Sequence, residues 1–143
     1  MRYLALKRLS KSDLTFFAVQ YRRARPGAGN QKAINLNADV FVDQCYPALD
    51  VITQGVAVPL QLTIYGPGIR APYPVARKAV QGAAYKNWRL NGEFVSNPDD
   101  EPSRFDNLEP EDLAVMEFTG TGQPSAVRMF LLSALEPADQ PLY

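Results

Sequence analysis

A chain of 143 residues, 46% hydrophobic and 21% charged, has the size and composition of one soluble domain that folds unaided, neither disordered nor fibrous. It has no histidine and a single cysteine, Cys45, which excludes disulfides within the chain, thiolate zinc sites, histidine-based metal centres and Ser-His or Cys-His catalysis. The zero net charge hides a segregation: residues 1–90 hold 13 Lys and Arg against four Asp, net +9, and residues 91–143 hold two Arg against 11 acids, net −9.

A domain with that split presents one basic and one acidic face, a pointer to a polyanion-binding surface, unless folding interleaves the two signs into solvated faces that neutralise each other. No apolar run approaches the roughly 20 residues that cross a bilayer, and the opening Met1-Arg2-Tyr3-Leu4-Ala5-Leu6-Lys7-Arg8 breaks off too soon for a signal peptide, so a cytoplasmic location is expected.

In chain order, Leu4, Leu6 and Leu9 predict a short opening strand. Ser10-Lys11-Ser12-Asp13 has capping-box spacing with Asp in place of Glu. Leu14, Phe17, Ala18 and Tyr21 then fall at i, i+3, i+4 and i+7, one apolar stripe of a core-facing helix that stops before Pro26-Gly27-Ala28-Gly29. Arg22, Arg23 and Arg25 lead into that glycine-bearing loop and Asn30-Gln31-Lys32 lead out of it.

Ala33-Ile34-Asn35-Leu36-Asn37 alternates as a half-buried strand. Residues 38–46 read either as a second short helix, capped by Asn37 and closed by Pro47, or as an extension of that strand; helix is the favoured choice. A strand over 56–65 is ended by Gly66-Pro67-Gly68, and another runs through 75–80, where Arg77, Lys78 and Gln81 add polar reach.

The densest chemistry lies in Tyr85-Lys86-Asn87-Trp88-Arg89-Leu90-Asn91-Gly92, with two cations, two amides and the only tryptophan of the chain. Cations neutralise phosphates, amides read base edges and a flat ring stacks or braces a loop. The same octet also reads as an ordinary half-buried strand ending in a turn.

Glu93-Phe94-Val95 is expected to close a further strand, and Asn97-Pro98-Asp99-Asp100-Glu101-Pro102 to form an exposed acidic loop. Strands over 114–118 and 127–132 are joined by a hairpin-like loop through Thr119-Gly120-Thr121-Gly122. Residues 137–143 read as a tail or the start of a linker. Many short strands with one or two helices imply a mostly β barrel or an α+β fold, with closure removing exposed edges.

Catalytic motifs are nearly absent. No glutamate is followed two residues later by lysine, as an Asp...Glu-x-Lys nuclease requires, and neither glycine-bearing turn is a phosphate loop. The paired carboxylates Asp99-Asp100 and Glu111-Asp112 read as solvated turn residues without a base partner, and Cys45 as a small buried side chain. Neither catalytic residues nor a cofactor or metal are expected.

Four separated patches nevertheless occur in a telling order. They are Lys7-Arg8-Leu9-Ser10-Lys11-Ser12-Asp13-Leu14; Gly29-Asn30-Gln31-Lys32-Ala33-Ile34; Asn87-Trp88-Arg89-Leu90-Asn91; and the run from Leu108 through Pro110, Glu111, Asp112 and Leu113 to Phe118. In that order and spacing the chain resembles the N-terminal DNA-binding, or effector-binding, pseudobarrel domain of EcoRII-type restriction endonucleases. That domain is related in fold to the plant-type transcription-factor pseudobarrel. The matching family patterns are Leu-Ser-x-x-Asp, Gly-x-His-Gln-x-x-Ile, Asn-Glu-Tyr-Arg-Leu-Thr and Leu-x-Pro-Gly-Asp-Leu. Asn30 stands where histidine is usual, the third patch is one residue shorter, and Glu111 replaces glycine.

The resemblance implies a seven- to eight-stranded open pseudobarrel with one or two short helices, a DNA-binding domain over residues 1–136. It also implies two arms that clasp duplex DNA in the major groove, the target-recognition or effector module of a bacterial restriction-modification or related defence protein, with a nuclease domain or subunit as a partner. Carried onto this chain, the first arm is Arg22, Arg23, Arg25, Asn30, Gln31 and Lys32, and the second Lys86, Asn87, Trp88, Arg89 and Asn91. Arg22, Arg23, Lys32 and Lys86 suit phosphates; Asn30, Gln31, Asn87 and Arg89 suit base edges; Trp88 braces the arm against the barrel. A non-catalytic protein-interaction or small-effector-binding barrel is the alternative.

Overall fold

The computed structural model describes residues 2–24, 33–37, 41, 45, 46, 57–81, 88–91, 94–121 and 123–142. Seven strands form one sheet: β1 (Arg2–Arg8), β2 (Ile34–Leu36), β3 (Ala57–Tyr65), β4 (Tyr73–Gln81), β5 (Trp88–Asn91), β6 (Leu113–Thr119) and β7 (Ala126–Leu132). Two short helices, α1 (Lys11–Leu14) and α2 (Ala18–Ala24), lie between β1 and β2. The order across the sheet is β1-β6-β7-β3-β4-β5-β2, with β3 and β7 parallel and every other pair antiparallel. The sheet is curled and open, a half-barrel, so the fold is mostly β as expected.

Alternation decides which face is core. Val58, Leu60, Leu62 and Ile64 of β3 point inward beside Val127 and Met129 of β7, and Ala114, Met116 and Phe118 of β6 complete that wall. Phe16, Phe17 and Phe105 close one side, the last two rings 4.7 Å apart. Gly66 turns the chain out of β3 at φ 80, and a Cβ there would sit 2.4 Å from the Leu131 carbonyl oxygen, so only glycine serves.

The capping box forms as its spacing predicts: the Asp13 amide donates to Ser10 Oγ (3.1 Å) and the Ser10 amide to Asp13 Oδ2 (2.9 Å). The single helix implied by the stripe Leu14, Phe17, Ala18 and Tyr21 is instead broken in two. Val95 is the cause, because its carbonyl takes the Ala18 amide (2.9 Å) and its own amide donates to the Phe16 carbonyl (3.0 Å). Both groups are thereby withdrawn from the helical ladder. The stripe still reaches the core, all four side chains being buried. Residue 95 contributes that one bridge to Phe17 rather than a strand.

Of the segment 38–46, Phe41, Cys45 and Tyr46 are described. The Phe41 amide donates to the Asn37 carbonyl (2.8 Å) and the Tyr46 amide to the Phe41 carbonyl (3.0 Å), helix-like spacings rather than strand pairing. Two expectations for acids change. Asp112 is no solvated turn residue: it is buried and accepts from the amides of Glu109 (2.8 Å) and Ala134 (3.2 Å). Asp139, within the expected tail, is buried and accepts from the amides of Gly68 (2.9 Å) and Ser133 (3.0 Å), so the chain stays docked at least that far.

The edges of the curled sheet meet at a seam. Lys7 of β1 donates from Nζ to the Asn35 carbonyl of β2 (2.8 Å) and lies 3.3 Å from Asp13 Oδ2, while the Asn35 amide donates to Asp13 Oδ1 (3.1 Å). A buried carboxylate thus serves a helix cap, an ammonium and the far edge of the sheet together.

Candidate nucleic-acid interface

The two expected arms fall only partly in the connections 25–32 and 82–87: Arg22 and Arg23 belong to helix α2, and Trp88, Arg89 and Asn91 to strand β5. Arg25, Asn30, Gln31, Lys32, Lys86 and Asn87 lie outside the described residues; Arg22, Arg23, Trp88, Arg89 and Asn91 lie within them. What the structure fixes is where the two connections are rooted. β2 and β5 pair antiparallel, Ile34 with Leu90, Asn35 with Arg89 and Leu36 with Trp88. Ile34, the first residue of β2, and Trp88, the first residue of β5, therefore stand at opposite ends of the ladder. Two steps of strand separate those ends, about 7 Å at the usual rise, within the roughly 12 Å width of a major groove.

Between the roots, the face of the ladder turned away from the core is polar. Ile34, Leu36, Trp88 and Leu90 are buried, so Asn35 and Arg89 take the outer face, each half-buried. Val80 stands opposite Arg89 and Lys78 opposite Asn91, which carries the same face onto β4 and its exposed Lys78. Asn35 and Lys78 were not singled out as site residues from sequence; their membership comes from the strand register.

Trp88 is fully buried, its ring centroid 6.0 Å from that of Phe41. It cannot stack on a base, and its place is in the wall beneath Arg89. At the end of α2 the two arginines differ. Arg22 is exposed with no ion pair among the described residues, whereas Arg23 donates from Nη1 to the Asp106 carbonyl and lies 3.9 Å from the Asp106 carboxylate. Gln20 holds the helix in place, its Nε2 within 3.0–3.2 Å of the carbonyls of Phe105, Asp106 and Leu108.

Charge segregation along the chain is partly undone by folding. Arg2 pairs with Glu117, Arg23 with Asp106, and Arg70 with both Glu101 and Glu136. Each pair joins the basic first part to the acidic second part. The acidic loop is correspondingly mixed: Asp99 and Asp100 are exposed, while Glu101 is half-buried against Arg70 and Arg104. Arg104 itself is buried, donating to the carbonyls of Ile64 (3.1 Å), Gly66 (2.9 Å) and Ala71 (2.8 Å). Burial lowers its pKa from the usual arginine value, against the pull of Glu101. It is a structural cation and leaves nothing for a ligand.

Burial raises the Cys45 thiol above its ordinary value, away from the thiolate a nucleophile needs. Among the described residues no group of His, Cys, Asp and Glu could hold a metal ion, and no helix is long and apolar enough to cross a membrane. No family model, curated protein or solved structure matches the chain.

A cavity of about 100 Å³ opens at the seam, lined by Ala5, Leu6, Lys7, Asn35, Leu36, Asn37, Phe41, Met116 and Phe118. Elsewhere in the core, Tyr46 Oη and Trp88 Nε1 are buried with no hydrogen-bond partner among the described residues. An unpaired buried donor costs about 1–3 kcal/mol.

Proposed function

We propose that this domain binds double-stranded DNA through the connections 25–32 and 82–87, as a target-recognition or effector module of the EcoRII-type pseudobarrel class, acting in restriction-modification or a related defence system beside a nuclease domain or subunit. The observation that carries this is the β2–β5 ladder. The strands that follow residues 25–32, with two cations and two amides, and residues 82–87, with Lys86 and Asn87, start at its opposite ends, and its outer face carries Asn35, Arg89 and, through β4, Lys78. A duplex laid across that face meets Arg89 and Lys78, cations for phosphates, and Asn35, an amide for a base edge.

A second, local observation supports the resemblance. Glu111 has φ 78, in the left-handed region that glycine adopts without penalty, and glycine is the family's residue at that position. The opening Leu9-Ser10 and the Asp112-Leu113 patch also touch, through the Leu9 amide to the Asp112 carbonyl (2.7 Å) and the Glu111 amide to the Leu9 carbonyl (2.8 Å). Two of the four sequence patches that carry the resemblance are therefore one structural unit.

Arg22, Lys32 and Lys86 serve phosphates, so binding weakens steeply with salt. Arg23 adds to the field while tied to Asp106. Asn30, Gln31, Asn87 and Arg89 read bases, with Asn91 at the end of the ladder and Arg25 in the first connection. The test is a mobility shift on duplex DNA at several salt concentrations: Arg89→Ala weakens binding by about 1–3 kcal/mol for a preferred site, and Lys86→Ala lowers the salt slope by about 1.

A protein-interaction role without sequence preference is favoured by one other observation. Leu4 and Leu6 are 69% and 68% exposed on the outer face of β1. Salt-insensitive behaviour with no shift of DNA would select that role.

A further inference from the structure

We propose that the outer face of β1, β6, β7 and β3 is a homodimer contact, two copies of this chain packed back to back about a two-fold axis that runs along the strands between β6 and β7. These four strands are distinct from β4, β5 and β2, which carry the polar ladder face. The proposal therefore does not rest on DNA binding.

Strand register builds an apolar row across this face. Leu6 pairs with Val115, Val115 with Phe130, and Phe130 with Tyr65. Leu6 is 68% exposed, Leu4 beside it 69%, and the other three are half-buried. The Tyr65 and Phe130 rings stack with centroids 4.7 Å apart. A contiguous exposed apolar patch with charge at its rim marks an interaction surface.

The neighbouring row of charges selects the occupant. Leu4 pairs with Glu117, Glu117 with Arg128, and Arg128 with Thr63. Arg128 lies 3.2 Å from the Glu117 carboxylate and 5.2 Å from both ring centroids, and its side chain is still 46% exposed. A two-fold along the strands reverses their order and keeps the rows in register. It sets Glu117 of each copy opposite Arg128 of the other, Val115 opposite Phe130, and Leu6 opposite Tyr65. Arg2 comes to lie opposite Gln61. No charge meets its own sign and the apolar row meets itself, the self-complementarity that an isologous contact requires. Aligned packing of two sheets is a standard sandwich arrangement.

Size sets the strength. The face spans about 14 Å across the four strands and about 20 Å from Arg2 to Arg8, and the outer side of a half-barrel is convex, which confines contact to its middle. Such an interface buries less than about 1,200 Å² in total, the weak class. A dissociation constant on the order of 100 μM is expected.

Sedimentation velocity of the full chain without DNA, in a dilution series reaching about 1 mM, reads the monomer–dimer equilibrium across that constant. Leu6→Lys is expected to abolish the dimer. Glu117→Arg or Arg128→Glu alone sets like charges together twice across the axis and weakens association about tenfold. An equimolar mixture of these two variants regains it, because each charge then meets its opposite in the other chain. A contact within one chain cannot produce that recovery. A wild-type chain that stays monomeric throughout, self-association that Leu6→Lys leaves unchanged, or a mixture no tighter than its components overturns the proposal. The wild-type series decides this even if a variant fails to fold.

Discussion

Lys7 and Asn35 lie on the two terminal strands of a seven-stranded sheet, yet Lys7 Nζ donates to the Asn35 carbonyl across 2.8 Å. Asp13 completes the contact from beneath, 1% exposed, between Lys7 and the Asn35 amide. The curl that makes a half-barrel of the sheet is therefore pinned by one carboxylate. Asp13→Ala removes a helix cap and strands the ammonium and the amide together, so it costs about 2–4 kcal/mol in urea unfolding. Ser10→Ala, which touches only the cap, costs about 1 kcal/mol. Equal losses for the two would show that the seam contributes nothing.

Glu111 sits at φ 78 with its carbonyl accepting from Arg8 (3.2 Å). Left-handed backbone costs a residue with a Cβ about 1–2 kcal/mol, partly offset by the entropy glycine loses on folding. Glu111→Gly is expected to stabilise the domain by about 1 kcal/mol, and Glu111→Ala to leave it nearly unchanged. Thermal unfolding of the two variants beside the wild type checks the pair.

The strands over 57–65, 113–119 and 126–132 were visible in the sequence because alternation is local, and the capping box for the same reason. The break between α1 and α2 was not, since its cause is Val95, more than 70 positions away. Asp112 was taken for a solvated turn residue because its partner Ala134 lies 22 positions on. Arg104 looked like one of two stray cations in an acidic stretch, and only the fold brings the carbonyls of Ile64, Gly66 and Ala71 around it. At the candidate interface, Arg22, Arg23 and Arg89 were legible as charge, and Trp88 as the only tryptophan. Asn35 and Lys78 join them only through ladder register.

Arg104 offers the third test. Its three carbonyl contacts spread over one planar fork, a geometry that lysine cannot copy. Arg104→Lys and Arg104→Ala are both expected to destabilise, by about 2 and 3–5 kcal/mol, with the loop from Gly66 to Ala71 the first region to lose amide-exchange protection. Full tolerance of lysine would mean that charge, not the fork, is what the site needs.

Tyr46 supplies a pH dependence. An unfolded tyrosine releases its proton near its ordinary 10.0, and burial delays release in the folded protein to about 12. Between those values the unfolded state binds fewer protons, so stability falls as pH rises through the window and is fully present below it. Tyr46→Phe removes this part of the alkaline loss. At pH 7 it is neutral or stabilising by up to about 1 kcal/mol, because an unpaired buried hydroxyl disappears. Urea midpoints at pH 7 and pH 11 read both effects.

Duplex recognition across the β2–β5 ladder is the central proposal. Selection from random duplexes at about 0.15 M salt, where purely electrostatic binding is already weakened, tests it most directly. The prediction is an enriched short motif that disappears in the folded double variant Asn87→Ala, Arg89→Ala. No retained DNA, or a motif that the double variant selects equally well, would contradict it.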